Sequence, residues 1–301
     1  MSINFPMRSL MFVSGHNLKL MNSAIRSEAD VLLLDLEDSV QPKNNKQIAR
    51  DNIIDFINRG KLDKYPVFPR VNDRESGELL KDVYQLTISG IDGFMYPKSK
   101  TGEDIYFFDK LLETIEYEKG FEIGTFKIIA LIETASAVLH AEEICKASKR
   151  VIAIAFGNED YLTDIQGTND EEASTIFTAR SMIAIAARSQ NVIPIDTVHI
   201  KVHDLEDLEY NLKIAKKLGF EGMLVLNPKE LELVHKYFTP TKEEVDAAKK
   251  MVDAFEESKK KGVGVAIING KFVGPPLVKN AYKVLDKHNR ILQNRLEVRQ
   301  I

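Results

Sequence analysis

Eight short apolar runs, each followed by a stretch with helical spacing, limit this chain to a small set of folds. The runs are SLMFV (9–13), DVLLLDL (30–36), YPVFPRV (65–71), GFMYP (93–97), KIIALI (127–132), VIAIAF (151–156), VIPIDTV (192–198) and GMLVLN (222–227). They are nearly continuous in Val, Ile, Leu and Phe, the pattern of parallel strands whose outer face is covered by helices. Between them, segments such as NKQIARDNIIDFINR, EDIYFFDKLLETIEYEK and DLEYNLKIAKKLG place apolar residues at i, i+3, i+4 and i+7. The joints Ser14-Gly15, Asp38-Ser39 and Asn227-Pro228 are expected to start helices, and the glycines of LTISGIDGF and KKLGFEGM to end them. Strict alternation of strand and helix calls for parallel pairing through right-handed crossovers. Eight such units predict an α/β fold, a (β/α)8 TIM barrel, over residues 1–240. An open doubly wound sheet is the competitor, but no early G-x-G-x-x-G follows a strand.

Beyond residue 240 the pattern changes. TKEEVDAAKKMVDAFEESKKK reads as a charged amphipathic helix, and VGVAIINGKFVG as a hairpin turning at Asn269-Gly270. PPLVKNAYKVLDKHNRIL reads as a closing helix with proline at its start. This helix–hairpin–helix extension, residues 241–301, is expected to pack on a neighbouring subunit.

The net charge of −4 excludes the electrostatic footprint of a nucleic-acid or membrane-surface binder. The N-terminal MSINFPMRSLMFVSG has no charged segment followed by a long apolar run, so neither a signal peptide nor a membrane span is expected. The one cysteine, Cys145, has no Cys or His at ligand spacing and reads as a packed residue. A chain without a disulfide framework fits a cytoplasmic location.

In a barrel of this kind chemistry belongs to the C-terminal ends of the strands. Those positions hold Ser14, Gly15 and His16; then Asp35, Glu37 and Asp38; then Arg70, Asn72 and Asp73; then Lys98, Glu133 and the run Gly157-Asn158-Glu159-Asp160. So many carboxylates on one rim repel, and a divalent cation would relieve the repulsion. Mg²⁺ takes oxygen ligands and commonly one or two carboxylates, which suits Glu133 and Asp160 at the ends of consecutive strands. The alternative is that both cap helices or pair with basic side chains. Arg70 could hold a carboxylate or an oxyanion, or form a salt bridge with Asp35 or Glu37. Lys98 could form a Schiff base, although an ion pair is the better reading. His199 and His203 form an H-x-x-x-H pair with no third ligand in view, and His16 could reach a substrate from the first loop.

In this order, RSLMFVSGHN, DVLLLDLEDSV, VFPRVN, GIDGFMYPK, ALIETASAV and FGNEDYLTDI resemble the citrate lyase β-subunit family of the HpcH/HpaI aldolase group, over essentially the whole chain. The resemblance implies a (β/α)8 barrel in which Glu133 and Asp160 bind Mg²⁺ and Arg70 contacts substrate oxygens. It implies a carbon–carbon lyase that cleaves a citryl-, malyl- or citramalyl-type thioester to an acyl thioester and a 2-oxo acid. The carrier would be coenzyme A or an acyl carrier protein, held in part by the segment from Arg8 to Gly15. Glu37, Asp38, Lys98, Gly157, Asn158 and Glu159 are expected around the substrate, and the assembly to be a homotrimer or hexamer. The chain departs from the family pattern at Gly274, where many relatives carry an acid/base Asp, and at Ser14, Lys201 and Asn227. These departures leave a metal-dependent 2-oxo acid aldolase, or a metal-binding subunit without turnover, as alternatives.

Overall fold

A computed structural model describes residues 4–168, 170, 172–262, 264–268 and 271–298. Seven strands follow one another: β1 (Ser9–Ser14), β2 (Val31–Asp35), β3 (Gly93–Tyr96), β4 (Lys127–Ile132), β5 (Val151–Phe156), β6 (Ile193–Asp196) and β7 (Gly222–Val225). They form one parallel sheet in the order β2-β1-β7-β6-β5-β4-β3, so β2 and β3 are its two edges. Nearly every strand residue is buried, as the unbroken apolar runs require.

The expected eighth strand, run 65–71, is instead an irregular segment that closes the ring. It pairs with β2 through bridges at Leu32↔Val67 and Asp35↔Arg70, and with β3 through Arg70↔Met95. On the β2 side Phe68 N donates to Leu32 O at 2.9 Å and Arg70 N to Leu34 O at 3.0 Å. On the β3 side Met95 N donates to Pro69 O at 2.9 Å and Val71 N to Met95 O at 3.2 Å. Pro66 and Pro69 have no N–H to give a ladder, which is why this run joins its neighbours by single bridges. The barrel is therefore complete in eight runs, seven of them regular.

Some helix starts fall where the sequence signals them and others do not. Asp204 caps Leu205–Leu218, which ends at Gly219 with φ 95, and Asn227 accepts from Lys229 N at 3.0 Å. The first helix, Leu18–Ala24, is capped by Asn17 and not by Ser14-Gly15. After Asp38-Ser39 no helix begins until Asn45. The reason is competition for donors: Ser39 N gives its hydrogen bond to Asp35 Oδ2 at 3.0 Å, within the rim.

Met7–His235 form one compact unit, and the chain from Lys236 onward belongs to a second. In the second, Lys242–Lys260 opens with a capping box between Thr241 and Glu244. An antiparallel hairpin follows, β8 (Ala266–Ile268) with β9 (Lys271–Val273), and then the helix Pro275–Val298. Ala266, Val273 and Val278 are its buried centre, packed against Met251, Val252 and Phe255. The expected turn residues, Asn269-Gly270, lie outside the described residues. No helix among the described residues is long and apolar enough to cross a membrane. Cys145 is buried, and burial, followed by the Glu142 charge, pushes its thiol up to about 12.

The start of β7 has no room for a side chain. A Cβ on Gly222 would stand 1.8 Å from Met7 O, whereas one on Gly264 meets nothing within 4 Å. Gly222→Ala is expected to cost about 3 kcal/mol or more, because the obstacle is backbone. Gly264→Ala is expected to be close to neutral; urea denaturation of both variants checks the contrast.

Candidate active site at the C-terminal rim

The ends of the strands meet around one cavity of about 290 Å³. That volume is at the low end of small-molecule sites, roughly 300–1,000 Å³. Asp35, Arg70, Glu133, Gly157, Glu159 and Asp160 contribute polar groups to its wall.

Arg70 is the best anchored of these. Its Nε donates to Asp35 Oδ1 at 2.6 Å and its Nη2 to Asp35 Oδ2 at 2.9 Å, a two-point grip that fixes the guanidinium plane. Nη1 stands 3.1 Å from Glu37 Oε2 and 3.2 Å from Asp38 Oδ2. The ring of Phe12 lies 4.8 Å from the guanidinium carbon. Burial would lower the Arg70 pKa, but the Asp35, Glu37 and Asp38 charges outweigh it and raise it. Burial would likewise raise Asp35, yet Arg70 and the hydrogen bonds from Ser39 and Glu37 N–H bring it down to about 2. Asp35 was expected on the rim and as a possible salt-bridge partner of Arg70, but not among the substrate or metal residues. Its signal was present in the sequence, since it ends a strand beside the run containing Arg70.

Glu133 directly follows β4 and is 2% exposed. It is not needed as a helix cap, because Thr134 accepts from Ala137 N in that role. Its Oε1 accepts from the backbone N–H of Lys98 at 2.6 Å. Lys98 reaches that position at φ 52, a left-handed conformation that costs a side-chain-bearing residue roughly 1–2 kcal/mol. Gly157 makes room opposite: a Cβ there would stand 2.9 Å from Glu133 Cβ and 3.1 Å from its Oε2. Asp160, in the first turn of Asn158–Asp164, is exposed and pairs with no Lys or Arg among the described residues. Burial, then the Glu37 and Asp160 charges, raise Glu133 to about 8.

These two carboxylates fit a hard cation. One is buried and electrostatically opposed by its neighbours, the other is open, and both face the same cavity. No group of three or more His, Cys, Asp or Glu side chains has ligand geometry among the described residues. Mg²⁺ does not need one, since waters and substrate oxygens complete its shell.

The remaining expected residues divide. Gly157, Asn158 and Glu159 line the cavity, with Asn158 N held by Thr197 Oγ1 at 3.2 Å. Glu37, Asp38 and Lys98 stand behind the wall. Glu37 Oε1 meets Lys98 Nζ at 2.9 Å, and that ammonium also meets Asp73 Oδ2 at 3.1 Å. Lys98 is therefore ion-paired. His16 Nδ1 meets Ser14 Oγ at 2.9 Å. His199 lies against Asp207 and Glu230.

Arg8 is not brought to this rim, contrary to expectation. It precedes β1, six residues before Ser14, or roughly 20 Å at about 3.3 Å per residue. Its Nε and Nη2 donate to Asp30 at 2.8 and 2.6 Å, in a buried pair at the other end of the barrel.

A barrel with acidic residues and one anchored guanidinium at its C-terminal mouth defines an enzyme site, and the comparisons specify the class as carbon–carbon lyases. The profile of the HpcH/HpaI aldolase/citrate lyase family matches residues 8–228. The chain is 32% identical to the citrate lyase subunit beta of Haemophilus influenzae over 93% of this chain and 96% of that protein. It is 31% identical to an L-malyl-CoA/beta-methylmalyl-CoA lyase of Cereibacter sphaeroides, covering 92% of each. Its fold is similar to that of CitE from Mycobacterium tuberculosis in complex with magnesium, acetoacetate and coenzyme A. The TM-score there is 0.72 at 22% identity, over 95% of this chain and 99% of that one. The chain belongs to the HpcH/HpaI aldolase/citrate lyase family.

Glu133 links the site to stability. An acid raised in the fold loses stability for the metal-free protein as pH climbs from the ordinary 4.5 towards about 8. Glu133→Gln is expected to remove that slope. In chelator its Tm should exceed the wild type's at pH 8, and the difference should vanish below 4.5. Added Mg²⁺ should raise the Tm of the wild type alone. Thermal melts by circular dichroism across pH read all three effects.

Proposed function

We propose that this chain is a Mg²⁺-dependent lyase that cleaves a 3-hydroxy-acyl thioester into an acyl thioester and a 2-oxo acid. The observation that carries the reading is the joint lining of one small cavity by Glu133, Asp160 and the anchored Arg70. It is supported by the malyl-CoA lyase and citrate lyase relatives, and by the magnesium and coenzyme A of the M. tuberculosis complex.

In the reaction the substrate hydroxyl gives up its proton and its oxygen becomes the carbonyl of the 2-oxo acid. The bond to the thioester α-carbon breaks, and its electron pair passes into the thioester as an enolate. A proton returned to that carbon completes the cleavage without net oxidation. Glu133 and Asp160 would hold the metal. When bound, Mg²⁺ supplies Lewis-acid polarisation of the substrate oxygens, worth several kcal/mol. Arg70 would face the oxygen on which charge develops. Because Asp35 already holds its plane, it would need no reorganisation there, and a donor of that kind contributes roughly 3 kcal/mol. Glu37 would hold Arg70 and Lys98 in register, and Asp38 would support Arg70 from the open side. Glu159, Asn158 and Gly157 would shape the mouth. The carrier, coenzyme A or an acyl carrier protein, would extend outside the cavity. Oligomerisation as a trimer or hexamer is part of the same reading, with the exposed Ile267 and Phe272 of the C-terminal hairpin meeting a neighbouring subunit.

Purified protein incubated with Mg²⁺ and a panel of citryl-, malyl- and citramalyl-CoA is expected to release a 2-oxo acid detectable by mass spectrometry, and chelation to abolish it. Cleavage of free hydroxy-oxo acids alone would favour the aldolase alternative, and metal binding without turnover the inactive subunit. Arg70→Lys is expected to lower kcat/KM by about 100-fold or more, since an ammonium cannot reproduce the two-point grip. A Cβ on Gly274 would meet only Pro276 and Phe272, at 3.8 and 3.9 Å. Gly274→Asp is therefore expected to fold, and a gain in rate would identify proton transfer as the limit on the natural chain.

A further inference from the structure

The cavity has two unlike halves. From β2 round to β5 its wall carries the charged groups, Asp35, Arg70, Glu133, Glu159 and Asp160, beside the apolar Leu131 and Phe156. From β6 through β7 to the end of β1 it is mainly hydrocarbon, Val198, Leu224, Leu226, Phe12 and Leu20. Its one polar side chain among the described residues, Ser14, already meets His16 Nδ1 and Ser39 O through its hydroxyl. Among the described residues lining it, Arg70 is the one cation. That cation already faces Asp35, Glu37 and Asp38. Nearby ammonium groups are committed elsewhere, Lys98 to Glu37 and Asp73 and Lys201 to Asp207.

A 2-oxo acid with one carboxylate can place its polar end against Arg70 and the metal-binding carboxylates. What differs between such acids is the third substituent. If that is hydrogen or a short alkyl group, the hydrocarbon half receives it at no cost and gains buried apolar area. If it is a second carboxylate, it meets either acidic side chains or a mainly hydrocarbon wall whose hydroxyl, on Ser14, already has partners. An ionised group moved there gives up part of its hydration with no cation in return.

We propose that the 2-oxo acid half of the substrate carries a single carboxylate and a hydrogen or short alkyl substituent, as pyruvate and glyoxylate do. Dicarboxylic acids of the oxaloacetate kind are disfavoured by the mainly hydrocarbon half of the wall. This rests on the lyase reading and deepens it. It selects citramalyl- and malyl-type thioesters over citryl-type ones, although the chain is 32% identical to a citrate lyase subunit beta.

The test begins with binding, which does not depend on turnover. Ligand-observed NMR on the full chain in Mg²⁺ buffer compares pyruvate, glyoxylate and fresh oxaloacetate, with pyruvate formed from oxaloacetate quantified in the same spectra. Pyruvate is expected to bind about tenfold or more tightly than oxaloacetate. Equal or tighter binding of oxaloacetate, or binding of none of the three, overturns the proposal. Turnover of citramalyl-CoA and citryl-CoA then separates the two readings. Comparable cleavage of both sinks the substrate assignment and leaves the lyase standing. Selective pyruvate binding with no thioester cleaved does the reverse. Leu226 is 44% exposed at the mouth and can give way to a longer side chain. Leu226→Lys is expected to move the oxaloacetate-to-pyruvate affinity ratio about tenfold or more towards the dicarboxylate. A folded variant with an unchanged ratio overturns the role given to the hydrocarbon half.

Discussion

A buried guanidinium holds this site together. The segment 66–71 is where the ring of strands closes, and Arg70 is the residue that bridges to both edges of the sheet. Its backbone ties Asp35 on β2 to Met95 on β3, and its side chain is gripped by the Asp35 carboxylate. Closure of the barrel and placement of the cation are therefore one event. A charge so far from water persists only because oppositely charged groups surround it, and removing one partner of such a pair typically costs 3–5 kcal/mol. Asp35, Glu37 and Asp38 supply the compensation from a single strand end.

Once those acids are committed to Arg70, the acids on the other side of the rim are left in excess. Glu133 accepts a backbone hydrogen bond from Lys98, which stabilises its ionised form, but burial and the Glu37 and Asp160 charges oppose it more strongly. The protein answers the first carboxylate group with an arginine and leaves the second without one. That difference separates a structural cluster of charges from one suited to a hard cation. Lys98 connects the two. Its ammonium meets Glu37 behind Arg70 while its backbone N–H holds Glu133, and it makes both contacts at a left-handed φ of 52.

Much of the fold was legible along the chain. Apolar runs separated by helical stretches are a local property, and their number and spacing predict parallel strands wound into a barrel. The run 65–71 was read correctly as part of the ring, although its two prolines make it a bridge rather than a regular strand. The helix starts at Ser14-Gly15 and Asp38-Ser39 were misread because their polar groups are recruited by the rim, a competition no local window contains. Strand direction corrected Arg8: a residue at the start of β1 cannot share a mouth with residues at its end.

By itself the sequence determined the alternation of strand and helix, the acids and the arginine at strand ends, and the ordered segments of the family. These follow from periodicity and from residue identity, which are written in one dimension. Only the tertiary structure decided that Asp35 grips Arg70, that Lys98 supports Glu133 through its backbone, and that one half of the mouth is mainly hydrocarbon. Each joins residues far apart in the chain, and strand register and barrel curvature set which of them face each other. Those quantities arise from packing the whole ring, so no segment read alone contains them.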